Sequence, residues 1–231
     1  MKRNILFIVL FGCCSLALFS QKTEPSAATA PVASTLPSAT GNGGIPSLIP
    51  LPAKIVLGNG YFTLSSYIQV VADKAGRNTA QQFADCIRHS TGFAMKVSGR
   101  ASKGSQAIIR FRQDRKLTQL GNEGYQLTVT PQGINITAAR QAGLFYGMQT
   151  LRQLLPPQLF PATQVRDVAW VIPCVSIEDT PRFAWRGLML DSGHDFQTKD
   201  FVLRFIDLMA LHKFNIFQCD RDVVARYGWR Y

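Results

Sequence analysis

Apolar residues recur along this chain with two different periods, and the changes of period mark its elements. Over residues 77–90, Ala80, Phe83, Ala84 and Ile87 fall at i, i+3, i+4 and i+7, which predicts a helix with one apolar stripe. Gly92 suits its C-terminal stop. A second helix, roughly 140–155, places Leu144, Met148, Leu151 and Leu155 on one face and ends at Pro156 and Pro157. Period two governs "GYQLTVT" and "GINITA", which flank "PQG" and predict a hairpin. "KIVL" and "YFTL" flank "GNG", a turn signal, while "YIQVVA", "FAMKV" and "AIIRF" are further strand candidates. Strands in direct succession with two helices among them predict an α+β domain, a sheet with two helices, over about 48–157.

Residues 158–180 then read as a connection carrying the short strand "CVSIED". The grammar changes after it. "WRGLMLD" is an apolar strand, and residues 199–212 form a helix with Phe201, Phe205, Leu208 and Met209 on one side and Thr198 as N-cap. "FNIFQ" follows as a strand, so 181–231 opens with a βαβ unit. Asp191, His194 and Asp195 lie just past the carboxyl end of the first strand, where chemistry sits in parallel α/β folds. All three are metal-ligand types, but a short loop rarely presents three ligands alone, and His89 and His212 fall on the predicted helices. The loop therefore reads as a plain connection before it reads as a metal site, with neither metal nor cofactor implied. Arg186 precedes the apolar segment and belongs at the opposite end, where such positions serve stability. Phe183 and Trp185 read as packing residues, and Tyr146 as core or interface.

The N-terminus alters the picture of where the protein works. Lys2 and Arg3 precede "ILFIVLFG", and small residues follow, the layout of a secretory signal over residues 1–20. "LFGC" also has the form of a lipoprotein box, so a lipid anchor on Cys13 is the alternative. Either route predicts export to the periplasm, the exterior or a lipid-anchored surface position. Residues 21–47 are rich in Ala, Pro, Ser and Thr and cannot bury enough surface to fold, which predicts a linker or stalk. The formal charge of +11 is concentrated in a basic middle from Lys96 to Lys116, opposed there only by Asp114. No nucleic-acid motif accompanies it, so it reads as a solvated face. Cys86, Cys174 and Cys219 are widely spaced without pattern, which favours buried free thiols over a disulfide framework or a zinc site.

"EGYQLTV", "GLFYGMQTLRQLLPP", "IPCVSIEDTPRFAWRGLMLD" and "FIDLMALHKFNIF" occur in an order that resembles glycoside hydrolase family 20, the β-N-acetylhexosaminidases, over roughly residues 48–218. The resemblance implies a noncatalytic α+β domain followed by the start of a (β/α)8 TIM barrel, of which 181–231 is an incomplete opening. It implies removal of terminal N-acetylhexosamine from glycans by a substrate-assisted route. In that route the acetamido oxygen attacks the anomeric carbon, an aspartate polarises the acetamido group, and the adjacent glutamate protonates the leaving oxygen. The Asp-Glu pair belongs to a later barrel strand, and no Asp-Glu dipeptide occurs in these 231 residues, so no catalytic residue is assigned. Glu178–Asp179 has the reverse order, precedes the barrel and reads as structural.

Two checkpoints of the resemblance depart from the family. After "MLD" the family has a small residue and then Arg-His-Phe, whose arginine grips sugar hydroxyls. Gly193, His194, Asp195 and Phe196 match those positions, so His194 stands in place of the sugar-binding arginine. An imidazole is shorter and offers fewer donors than a guanidinium fork. After "NIF", the family's Thr-Asp-Asp-Gln-Gly-Trp-Arg is replaced by "QCDRDVVARYGWRY", in which Gly228, Trp229 and Arg230 return out of step and Asp220 and Asp222 have no clear counterparts. A barrel of this type needs ~250 residues, so the chain alone is expected to be inactive. The rival expectations are a noncatalytic glycan-binding or interaction module on a surface stalk, and a truncated gene product.

Overall fold

The computed structural model describes residues 6–9, 46–102, 107–161, 164–165, 167–191 and 197–219. In chain order its strands are β1 (Leu6–Val9), β2 (Lys54–Thr63), β3 (Gln69–Ala72), β4 (Val97–Ser98), β5 (Ile108–Gln113), β6 (Tyr125–Thr130), β7 (Gly133–Ala138), β8 (Val171–Asp179), β9 (Gly187–Leu190) and β10 (Ile216–Cys219). The helices are α1 (Arg77–Thr91), α2 (Gln141–Leu154) and α3 (Lys199–Leu211). Seven strands form one mixed sheet in the order β2-β8-β6-β7-β5-β3-β4. β3, β4, β5 and β7 run parallel to one another, whereas β6 and β2 pair antiparallel with their neighbours.

Alternation decides which face is covered. Tyr125, Leu127 and Val129 of β6 are buried, and Gln126, Thr128 and Thr130 between them are partly open. β7 repeats the pattern with Ile134, Ile136 and Ala138. Leu144 and Leu151 of α2 lie over these residues, while Phe83 and Ile87 of α1 lie over the β3–β5 side of the sheet; all four are fully buried, and the rings of Phe83 and Phe111 are 6.0 Å apart. Gly92 ends α1 in the left-handed region at φ 77°. α2 approaches the sheet unusually closely. A β-carbon on Gly147 would sit 2.7 Å from Ile136 Cγ2, and one on Gly143 would meet the Gly124 carbonyl. The two glycines of "GLFYG" are thus a contact surface.

Three expectations need correction. "KIVL" and "YFTL" are one strand, because both halves pair with β8 and "GNG" is absorbed as a register shift between Leu57 and Tyr61. "FAMKV" supplies only the two-residue edge strand β4. Residues 158–180 are more than a connection, since nine of them form β8, inserted between β2 and β6 with Ile172, Cys174, Val175 and Ile177 buried. Ending the α+β domain at 157 would leave β2 without a partner among the described residues and strip one edge of β6, so the sheet requires the chain through Asp179.

The second unit is the βαβ element. β9 and β10 are parallel neighbours joined through α3, and Thr198 caps α3 by accepting from the Phe201 amide at 3.2 Å. The buried stripe of α3 is Val202, Met209 and Ala210, with Phe205 and Ile206 beside it, while Phe201 and Leu208 face outward. α3 is apolar on two sides, the signature of a helix made to be covered on both. Phe183 and Trp185, expected as packing residues, are 64% and 59% exposed. The backbone of β1 pairs antiparallel along the outer edge of β10, which satisfies that edge's amides and carbonyls. Cys86, Cys174 and Cys219 form no disulfide with one another. The architecture is an α+β domain followed by the opening of a (β/α)8 barrel.

Candidate functional site

β9 and β10 run in one direction, with their amino ends against the α+β domain and their carboxyl ends away from it. Asp191 follows β9 at the carboxyl end and is exposed, and Cys219 closes β10 and is buried. His194 and Asp195 lie outside the described residues, as do Asp220, Asp222 and Trp229. Among the described residues no group of three or more His, Cys, Asp or Glu side chains is placed to hold a metal ion.

The amino ends carry a dense polar joint. Arg186, just before β9, donates from Nη2 to Glu123 Oε2 at 2.7 Å and from Nε to the Lys213 carbonyl at 2.8 Å. Its guanidinium lies 5.5 Å from the centroid of the Tyr146 ring. Asn215, just before β10, donates to Glu123 Oε1 at 3.1 Å and accepts from the Arg186 amide at 2.9 Å. Both oxygens of Glu123 are therefore bound to groups at the base of the barrel strands. Arg186 serves stability there, as its place in the sequence implied, and Tyr146 is an interface residue.

A second cluster lies deeper. Lys213 turns the chain from α3 into β10 with a left-handed φ of 62°, and its ammonium donates to Asp179 Oδ2 and to the Tyr125 hydroxyl, both at 2.8 Å. The Tyr125 hydroxyl donates to Asp179 at 3.0 Å and lies 2.6 Å from Thr150 Oγ1. Asp179 Oδ1 accepts from the Ala53 amide at 3.1 Å. Burial pushes Lys213 below the usual lysine range, and the Asp179 carboxylate opposes that shift. Burial, reinforced by Asp179, drives the Tyr125 hydroxyl well above the usual tyrosine range. Burial also raises Tyr146 to about 12, with Glu123 adding to the shift and Arg186 opposing it. Glu178 accepts from Gln126 at 2.7 Å, so both members of the Glu178–Asp179 pair are structural, as read from their order.

The linker end is tied down as well. The Gln153 side chain accepts from the Ile49 amide at 2.9 Å and donates to the Ile49 and Leu211 carbonyls, each at 2.8 Å. Acid and base meet one another throughout the joint, and its chemistry is docking. The sequence pointed to Arg186 but missed Glu123, Lys213 and Asn215. Lys213 did leave a signal, as a lone cation inside the apolar run "FIDLMALHKFNIF". Beside the joint opens a cleft of about 540 Å³, bounded by the turn after β5, the loop before β6 and the start of α2.

A helix-covered mixed sheet docked beneath the amino ends of a parallel βαβ unit defines a two-part protein, a sheet domain carrying a (β/α)8 barrel at its opening strands. Comparison with known proteins agrees. Residues 45–180 match glycosyl hydrolase family 20, domain 2, and residues 183–231 match the catalytic domain of that family. The chain belongs to glycosyl hydrolase family 20. A beta-hexosaminidase of Porphyromonas gingivalis is 32% identical over 173 residues, 74% of this chain and 22% of that protein. A beta-N-acetylhexosaminidase of Cellulomonas fimi is 29% identical over 80% of this chain and 36% of its own length. The solved structure of the family 20 beta-N-acetylhexosaminidase of Streptomyces coelicolor superposes with a TM-score of 0.66 at 35% identity, covering 74% of this chain and 33% of that one. This chain therefore spans from about a fifth to about a third of the length of these relatives.

Proposed function

We propose that these residues form the sheet domain and barrel opening of a β-N-acetylhexosaminidase, which removes terminal N-acetylhexosamine from glycans. The observation that supports this most strongly is the succession of two family matches, 45–180 and 183–231, meeting at the polar joint. The joint orients β9 so that its carboxyl end, where Asp191 stands, points away from the sheet domain, toward the working end of such barrels. In this reading His194 contacts the sugar where the family has arginine, with fewer hydrogen bonds to its hydroxyls. The acid and the acetamido-polarising aspartate form no Asp-Glu pair within these 231 residues, so this chain by itself does not hydrolyse a glycoside. We read residues 1–20 as an export leader, so β1 covers the edge of β10 only before the leader is cut off, with lipidation of Cys13 as the alternative route to the cell surface.

A chimera tests the reading. Residues 45–219 replace the matching part of the Streptomyces coelicolor enzyme, and turnover of chromogenic β-N-acetylglucosaminide and β-glucoside is measured. The chimera is expected to cleave only the N-acetylated substrate, and His194→Arg to lower its KM. The 231-residue chain alone is expected to match a buffer blank with or without that substitution, since binding without the acid leaves the chemical barrier in place. A folded chimera without activity, or turnover by the lone chain that is lost on changing Asp191, overturns the assignment.

A further inference from the structure

We propose that the cleft beside the joint is a noncatalytic binding site for a saccharide bearing an anionic substituent, a sulfate or a carboxylate. It lies at the amino end of β10, where Asn215 forms part of its wall, and thus at the opposite end of the βαβ unit from Asp191. Its volume of about 540 Å³ falls within the range of roughly 300–1,000 Å³ typical of small-molecule sites.

Charge selects the anion. Among the described residues that line the cleft Glu123 is the one carboxylate, and Arg186 and Asn215 already engage both of its oxygens. Arg115 and Arg140 line the cleft, and among the described residues neither takes part in an ion pair. Arg140 also stands at the N-cap of α2, whose first turn holds no acidic residue, so a cation occupies the positive end of the helix dipole. An anion held by the two guanidinium groups offsets that repulsion, with the forked geometry that arginine offers sulfate and carboxylate oxygens.

The remaining wall selects the sugar. Gln113, Asn122 and Gln141 present side-chain amides, which both donate and accept and so match hydroxyl groups. Gln113 donates to the Ala139 carbonyl at 2.7 Å, which holds its amide in place. Phe145 adds a partly buried apolar surface for the face of a pyranose ring. A bare anion would use the arginines alone, and a neutral sugar the amides alone. A charged sugar uses both.

Binding to the full 231-residue chain is measured by calorimetry and saturation-transfer NMR at fixed ionic strength. The probes are N-acetylglucosamine 6-sulfate, glucuronic acid, N-acetylglucosamine and sodium sulfate. At least one anionic sugar is expected to bind saturably, and whichever binds identifies the substituent. The neutral sugar and sodium sulfate are expected to bind about tenfold more weakly or worse, and Arg115→Gln or Arg140→Gln to weaken the anionic sugar about tenfold each, as loss of a charge-assisted hydrogen bond requires. Arg88→Gln, which removes a guanidinium paired with Asp85 on α1, should change nothing. The proposal fails if a folded chain binds neither anionic sugar, if neutral sugar or sulfate alone binds as tightly, or if Arg88→Gln weakens binding equally. The hydrolysis test above uses neutral substrates and the opposite end of the barrel, so the two readings fail separately.

Discussion

Lys213→Met is the most direct perturbation of the joint. Its ammonium holds two contacts of 2.8 Å, to Asp179 and Tyr125, and the paired side chains of Lys213 and Asp179 are only 8% and 12% exposed. Methionine keeps most of the volume and removes the charge, leaving Asp179 with the Ala53 amide and the Tyr125 hydroxyl as partners. Removing one partner of a buried pair costs about 3–5 kcal/mol, because the other charge stays buried without its counter-ion. The two remaining hydrogen bonds and relief of the burial cost of Lys213 place the expectation near the lower end, about 3 kcal/mol. Lys213→Met with Asp179→Asn removes both charges, and it should recover most of the loss, to within about 1 kcal/mol of the parent chain. Urea unfolding followed by tryptophan fluorescence reads the effect, since Trp170 is buried in the α+β domain. A single variant within about 1 kcal/mol of the parent, or a double variant as unstable as the sum of its parts, would refute the view that charge pairing holds the joint.

Three further outcomes follow from the packing and the titrating groups. Residues 46–180 should fold alone with dispersed amide signals while residues 46–157 should not, because among the described residues β8 is the sole partner of β2 and covers one edge of β6; a cooperative melt of the shorter piece would overturn the topology argument. Gly147→Ala should lower stability by about 1 kcal/mol, overpacking against Ile136 outweighing the gain in helix propensity, and Gly143→Ala should cost more because it meets a backbone carbonyl that cannot rotate away. Denaturant titrations that rank the two in the reverse order would refute that reading. Tyr146 has its folded-state pKa raised from 10.0 to about 12, so its contribution is fully present below pH 10 and is lost as pH rises toward 12. Tyr125 acts in the same direction above pH 10, whereas Lys213, lowered by burial, makes stability rise with pH up to its ordinary value of 10.5. The tyrosines should dominate, giving alkaline unfolding that Tyr146→Phe makes less steep by roughly 2–3 kcal/mol between pH 9 and 12.

Much of this protein was legible along the chain because local periodicity and local chemistry fix helices, hairpins and caps. The stripe of α1, the hairpin of β6 and β7, the Thr198 cap and the βαβ order each depend on residues only a few positions apart. The family resemblance was legible for the same reason, as short phrases in a fixed order. Long-range pairing decided the rest. Nothing within "CVSIED" says that it enters the middle of a sheet between strands begun more than 45 residues earlier, and "GNG" is a turn or a bulge according to what lies opposite it. The apolar stripe on α3 was ambiguous because the helix carries two, and only the neighbouring β10 selects which is buried. Lys213 and Asp179 stand 34 positions apart and Arg186 and Glu123 63 apart, so each reads alone as an isolated charge. Burying an isolated charge is prohibitive, and tertiary structure makes it affordable only by delivering the partner.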